Sequence, residues 1–437
     1  MTDHSGESAQ PRFAEAVGLW WKLGWISFGG TAAHIAIMHN FLVEKKKWIS
    51  NSHFLHALSL CMLLPGPEAQ QLAIYIGWKL HGKKGGIVAG SLFVLPSMFV
   101  LLGLSIVYVR FGNLPWIVAM FGGLKPTVVA LVILALIRVA RRALVKPLQW
   151  IATLGSLFAM AWLHVSIPVV MLVVVILGVL GYWRFPDLLA NGSAIETSRE
   201  SEEPPALGWK EILRSTIKVV ATGLLLWLAP FLSLYWLGHH FSFWRQLSLF
   251  FTRTAFVTIG GSYTVIPYVA QVAVTKYHWL TQAQMLDGFA LAETTPGPLI
   301  IVVTFVGFMA AFNDSHGSLA MGILGLLVTT FYTFLPCFLF VFAGASLVER
   351  TQGKRSVEAI LRLITAVVIA AMLDLTGLLS RGVLFPTGKL CLTGFDWISL
   401  TWIGVSLILL RVFKVNVAGV ISLSLIGGLT RWFFHMT

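Results

Sequence analysis

Two Pro-Gly-Pro triplets, Pro65-Gly66-Pro67 and Pro296-Gly297-Pro298, stand inside apolar stretches, and so do two glycine pairs, Gly29-Gly30 and Gly260-Gly261. A proline within a helix removes a backbone donor and clashes with the preceding turn. In a lipid bilayer such a break persists only where the freed backbone is buried in protein or lines a cavity. Helices that restart after the breaks begin at Thr31, after Pro67, at Ser262 and after Pro298. Each start leaves unpaired N–H groups and the positive end of the helix dipole in the interior. Four such ends around one space form an anion site that needs no buried counter-charge. Thr31, Ser262, Gln70 and Gln71 add neutral hydrogen-bonding groups, and glycine lets a ligand approach the backbone. The expected substrate-binding set is Gly29, Gly30, Thr31, Pro65, Gly66, Pro67, Gln70, Gln71, Gly260, Gly261, Ser262, Pro296, Gly297 and Pro298. A lone Gly-Gly more often serves close helix packing, but its recurrence beside a recurrent Pro-Gly-Pro favours the site.

Ionisable residues inside these stretches are few: Lys22, His34, Glu68, Arg253 and Glu293. Such groups are costly in a bilayer and are functional candidates by default. Lys22 and Arg253 each precede a Gly-Gly by seven residues and are read as anion-attracting charges; the alternative is a long stem reaching to the headgroups. Glu68 and Glu293 flank the two triplets and are proton-coupling candidates, the alternative being a carboxylate that caps a helix start. Asp314 and Asp374 are weaker candidates of the same kind. His53 and His56 are three apart, but no carboxylate or cysteine completes a metal site at helical spacing. The three cysteines, Cys61, Cys337 and Cys391, form no ligand or disulfide pattern. No nucleophile and base converge, so the residues point away from an enzyme. No cofactor and no metal are expected, and no Gly-x-x-x-x-Gly-Lys-Ser/Thr loop offers ATP as the drive.

These residues need elements that hold them at membrane depth. Of the 437 residues, 57% are hydrophobic and 11% charged, with a mean hydropathy of +0.82. Soluble domains carry about 25% charged residues, so the chain reads as an all-α polytopic membrane protein. The net charge of +13 lies mostly in short loops between apolar runs, which fits orientation in a bilayer better than nucleic-acid binding. The polar start of the chain is not followed by a short apolar core with a cleavage site, so no removable signal peptide is expected.

The second half of the chain repeats the first. The offset is 231 for Gly29-Gly30 and Gly260-Gly261, for Trp48 and Trp279, for the two triplets, and for Gly86 and Gly317. The divisions are an N-terminal repeat at 1–184, an acidic linker at 185–211, a connecting transmembrane helix at 212–237 and a C-terminal repeat at 238–437. Ordinary spans in the first repeat are expected at about 87–109, 116–137, 148–164 and 167–183, with Arg138, Arg141, Arg142 and Lys146 in a loop between the second and third. The broken stretches near 13–43 and 51–80 admit two readings: re-entrant hairpins with arms of about 20 Å, or simple spans. Hairpins place the clusters around Lys45 and Lys83 on one side, with the cytoplasmic loops. Either reading inverts the second repeat. The favoured architecture is two inverted-topology repeats, each with two broken hairpins plus four transmembrane helices, joined by an extra helix.

The motifs resemble the chromate ion transporter family. The carriers are Ser27-Phe28-Gly29-Gly30 with Ala33-His34-Ile35, Leu64 through Ala73, and Gly85-Gly86 with Phe93-Val94-Leu95-Pro96-Ser97. In the second half they are Thr258-Ile259-Gly260-Gly261 and Glu293 through Pro298. The resemblance covers both halves, as in a long-chain member. It implies a gradient-driven secondary transporter that exports chromate across a bacterial inner membrane and confers chromate resistance. Sulfate or a related oxyanion on the same scaffold is the alternative. The expected partners are that oxyanion and the lipid bilayer, with no nucleic acid; homodimerisation is left open. The second triplet lacks the Glu-Ala-Gln-Gln that follows the first, so the two half-sites differ chemically.

Overall fold

The computed structural model describes residues 11–27, 30–184, 209–236, 241–258, 262–344, 355–386 and 394–436. Gly29, Gly260, Gly261 and most of the acidic linker lie outside them. The described residues are helical, with no strand among them. In the first half the helices are α1 (Phe13–Ile26), α2 (Thr31–His39), α3 (Asn51–Leu63), α4 (Glu68–Phe111), α5 (Pro115–Ala143), α6 (Pro147–Ala161) and α7 (Ile167–Arg184). The connecting helix is α8 (Trp209–Trp236). The second half holds α9 (Phe241–Val257), α10 (Ser262–Gln271), α11 (Gln282–Thr294), α12 (Val302–Asp314), α13 (Leu319–Leu339), α14 (Arg355–Leu384), α15 (Trp397–Arg411) and α16 (Val417–Met436).

The local chemistry of each half is the same. Ser50 caps α3 by accepting from His53 N, and Thr281 caps α11 by accepting from Gln284 N. The residue before a proline is pushed out of the helical region; Leu64 and Thr295 accordingly take ψ 143° and 148° and end α3 and α11. Both α2 and α10 finish in a wide turn with i→i+5 bonds, Lys46 N to Phe41 O and Tyr277 N to Val272 O. Lys47 and His278, 231 apart like the rest, both have positive φ.

Helix α4 is two helices joined at His81 and Gly82, whose backbone is non-helical. A Cβ on Gly77 would strike Gly85 O and one on Gly85 would strike Gly77 O, so the arms 68–80 and 83–111 fold back on one another. The equivalent crossing joins α12 to α13 at Gly307 and Gly325. Close backbone approach through small residues is how helices associate where lipid supplies no hydrophobic drive.

The first broken stretch also folds back. Lys46 Nζ lies 2.7 Å from Glu15 Oε1, and Lys22 Nζ sits 5.2 Å from the centre of the Phe41 ring. Both contacts pair α1 with the wide turn that follows α2. A straight broken span would hold Glu15 and Lys46 tens of ångströms apart. His81 Nε2 lies 2.8 Å from Pro11 O, so the 68–80 arm returns to the same end.

Among the described residues, six helical stretches are long and apolar enough to cross a membrane: Glu68–Phe111, Pro115–Arg141, Leu213–Tyr235, Leu319–Gly344, Arg362–Leu384 and Val417–Phe434. The expectation of four full crossings per half meets a shortfall here: α6 and α15 have 15 residues each, against the ~20 of a full crossing. A second expectation needs correcting. Arg138, Arg141 and Arg142 do not form a loop, because α5 continues to Ala143. The apolar run LVILALI carries the helix straight through Arg138.

Candidate functional site at the hairpin tips

The breaks from the two halves meet. Gly66 N donates to Thr258 O at 2.6 Å, and Gly297 N donates to Ser27 O at 2.6 Å. Ser27 is the equivalent of Thr258, and Gly66 of Gly297, so the bonds are exchanged reciprocally, as about a two-fold axis. The acceptors are prepared alike: Ser27 Oγ turns back to Leu23 O, and Thr258 Oγ1 to Thr254 O. Gly66 and Gly297 have φ of 133° and 103°, which L side chains rarely adopt. A Cβ on Gly297 would overlap Ser97 Oγ, and one on Gly66 would lie 3.1 Å from Cys337 Sγ. Each tip thus rests on a proline-containing helix of the other half, at Pro96-Ser97 or Pro336-Cys337.

This arrangement uses the N–H groups of Gly66 and Gly297 to hold the halves together. The donors left at the first tip are the first-turn amides of α4, beginning at Glu68, and nearby side chains. Gln71 Nε2 donates to Pro65 O and closes the break on itself. Gln70 is fully buried and neither of its amide atoms has a partner, and Gln71 Oε1 and Ser97 Oγ are likewise unpartnered. His34 is buried with its ring edge-on to Phe93. In the second half the equivalents of His34, Gln70 and Gln71 are Val265, Ile301 and Val302, all buried and apolar. These buried polar side chains belong to the first half alone.

Between the halves lies a cavity of about 150 Å³ whose lining includes Gly30, Arg138, Ile266, Phe289, Glu293 and Leu299. Gly30 stands at the start of α2, immediately before Thr31. Glu293 comes from the last turn of α11, just ahead of the second triplet. Arg138 reaches in from α5. One cation, one carboxylate and one helix start therefore share a small, otherwise apolar space, in which charge interactions are strong.

A larger pocket of about 550 Å³ lies at the open end of the second half, lined by Arg245, Gln246, Arg253, Tyr277, Trp279 and Asp314 among others. In the first half the Glu15–Lys46 pair joins the residues equivalent to Gln246 and Tyr277.

The predicted residues thus separate. Gly30 and Glu293 line the tip cavity, whereas Pro65, Gly66, Pro67, Gln70, Gln71, Pro296, Gly297 and Pro298 build the tips without lining it. Thr31 and Ser262 begin helices as expected, and Leu299 opens a short 3-10 turn before α12. Arg253 lines the larger pocket; Lys22 is exposed beside Phe41, and neither lines the tip cavity. Glu68 is half-buried and outside the cavity lining. His53 Nδ1 pairs with Ser50 Oγ, and no group of three or more His, Cys, Asp or Glu able to hold a metal occurs among the described residues.

Sequence reasoning missed Arg138 and a buried cluster on the same pair of helices. Asp287 Oδ1 lies 3.3 Å from Lys125 Nζ, and Tyr108 OH donates to Asp287 Oδ2 at 2.9 Å. The available signal was an Asp in the middle of a hairpin arm, which is a functional candidate by default in a membrane segment.

The profile of the chromate transporter family matches residues 14–182 and again 245–432. The chain is 30% identical over 364 residues to the chromate transport protein of Cupriavidus metallidurans, covering 82% of this chain and 79% of that one. It is 28% identical over 374 residues to the chromate transport protein of Pseudomonas aeruginosa, covering 84% and 82%. A probable chromate transport protein of Synechococcus elongatus is 29% identical over 318 residues, covering 73% and 72%. No solved structure matches the chain.

Proposed function

The chain belongs to the chromate transporter family, and from that premise we propose that it is a gradient-driven secondary transporter that exports chromate across a bacterial inner membrane, with proton coupling through Glu293. The observation that carries the proposal is the cavity at the hairpin tips, where Gly30, Arg138 and Glu293 share about 150 Å³. An oxyanion entering it meets the Arg138 guanidinium, a planar donor suited to tetrahedral oxyanions. The start of α2 and the first-turn amides of α4 add partial positive charge. Gln70 offers an unpartnered buried amide on the same tip assembly.

Glu293 supplies the counter-charge when the site is empty. A dianion and an ionised carboxylate cannot share so small an apolar space without strong repulsion. Anion entry therefore requires Glu293 to take up a proton. This couples anion movement to the protonation of Glu293. Export follows from the substrate's chemistry: chromate is a damaging oxidant, and a dedicated carrier is useful to the cell when it removes it, conferring resistance.

The reciprocal bonds at the tips support inverted repeats, with the two-fold axis in the plane of the membrane. The hairpins of each half would then enter from opposite faces and meet at mid-depth. The lining presents charge and hydrogen bonds, with no cysteine, so it recognises a tetrahedral dianion by shape and charge. Competition by sulfate and molybdate would measure selectivity on that scaffold.

The test is radiolabelled chromate accumulation in inside-out membrane vesicles. Vesicles with the protein should accumulate chromate when a pH gradient is imposed, and Glu293→Gln should remove the gradient's effect. Equal accumulation in vesicles with and without the protein contradicts the transport reading. An unchanged gradient response in Glu293→Gln removes Glu293 from the coupling.

A further inference from the structure

The Lys125–Asp287–Tyr108 cluster has no part in the tip cavity. Asp287 sits on α11, Lys125 on α5, and Tyr108 near the end of the 83–111 arm, so a carboxylate from the second half is held by two groups from the first. Asp287's side chain is 9% exposed and Lys125's is 26% exposed. A buried ion pair gains little net stability, because the desolvation of both ions offsets their attraction, and an apolar pair of similar size often does as well. Retaining one inside a membrane protein calls for a use.

Its position suggests that use. Helix α11 begins at the larger pocket, beside Trp279, and ends at the tip cavity, with Glu293. Asp287 lies six residues from Thr281 and six from Glu293, about 9 Å from each along the axis. The same two helices contribute both charge sets: α5 gives the cations Lys125 and Arg138, and α11 gives the carboxylates Asp287 and Glu293. The cation at the midpoint is the more exposed partner, while its carboxylate is fixed by a second bond from Tyr108.

We propose that Lys125 is a second anion-binding station, between the arginine-lined pocket and the tip cavity, with Asp287 as the counter-charge that an oxyanion displaces and that returns when the anion leaves. The ligand class is the same tetrahedral oxyanion, so the inference rests on the transport reading. Asp287 keeps the station from holding the anion too tightly, as conduction through successive sites requires. Tyr108 holds the displaced carboxylate within reach, so that it returns to the lysine when the anion leaves.

The experiment uses the full chain in liposomes with radiolabelled chromate. Asp287→Asn removes the competitor, so chromate binding to the purified protein tightens while flux falls. Lys125→Met combined with Asp287→Leu changes no net charge and removes both ions, a replacement that folds elsewhere. This double variant is expected to bind chromate as wild type does at the tip but to lose at least about ten-fold in flux. Wild-type flux in the double variant overturns the station, as does weaker binding in Asp287→Asn. Should Asp287→Asn fail to fold, the double variant alone decides. An absence of flux from wild-type protein contradicts the transport reading itself, and the station with it.

Discussion

At the scale of single residues, the contrast between the halves is sharper than their likeness. Gln70 is buried with an unpartnered amide, whereas its equivalent, Ile301, fills the same kind of position with hydrocarbon. A buried polar group without a partner costs about 1–3 kcal/mol. Gln70→Leu should therefore raise the thermal stability of the empty protein by an amount of that order, and lower chromate flux because the anion loses a donor. Thermal unfolding in detergent and flux in liposomes check the two arms. A loss of stability would mean that the amide is satisfied in the empty protein. Many of these residues were legible without coordinates: the triplets, Gln70, Gln71 and Glu293 are marked by type and context. Arg138 was hidden because, with Arg141, Arg142 and Lys146 just beyond it, it reads as the charged end of a span. Only the cavity between the halves, which Arg138 lines, sets it apart from them.

At the scale of elements, the tips are fixed by backbone geometry. Gly66 and Gly297 are equivalent, yet a side chain would meet different obstacles. At Gly297 the obstacle is the hydroxyl of Ser97 on a packed helix; at Gly66 the nearest atom is the flexible amide of Gln71. Both positions have positive φ, so alanine is strained at each, by roughly 1 kcal/mol or more. Gly297→Ala should destabilise more than Gly66→Ala, by about a further 1–2 kcal/mol, measured as the difference in thermal midpoint. Equal losses would show that Ser97 gives way freely. The breaks themselves were readable from proline and glycine. Their direction was not, because the same apolar run fits a hairpin or a straight span. The Glu15–Lys46 pair, which joins residues 31 apart in the chain, decides that the first one doubles back. The length of α6 and α15 was also unreadable, since apolar residues continue past their ends into the following turns.

At the scale of the molecule, the chain is two copies of one device that clasp each other at their tips. The copy number could be read from the 231-residue offset, and the matching caps, wide turns and positive-φ residues repeat it in three dimensions. How the copies are oriented in the bilayer is the remaining part of the proposal. Single cysteines in place of Lys46 and Lys276, in a background without Cys61, Cys337 and Cys391, should react with an impermeant thiol reagent from opposite faces. Reaction from the same face would contradict inversion. The central claim is that the anion binds in the tip cavity, against Arg138. The measurement that tests it most directly compares initial chromate flux for Arg138→Gln and Lys22→Gln in the same liposomes. Arg138 lines the cavity, and a hydrogen bond to a charged group is worth about 1.5–3 kcal/mol, so Arg138→Gln should lower flux roughly ten-fold or more. Lys22 is exposed beside Phe41, where salt screens its charge, so Lys22→Gln should keep flux within about two-fold of wild type. Near-normal flux from Arg138→Gln, with Lys22→Gln inactive, would place the site away from the tip cavity and contradict the account.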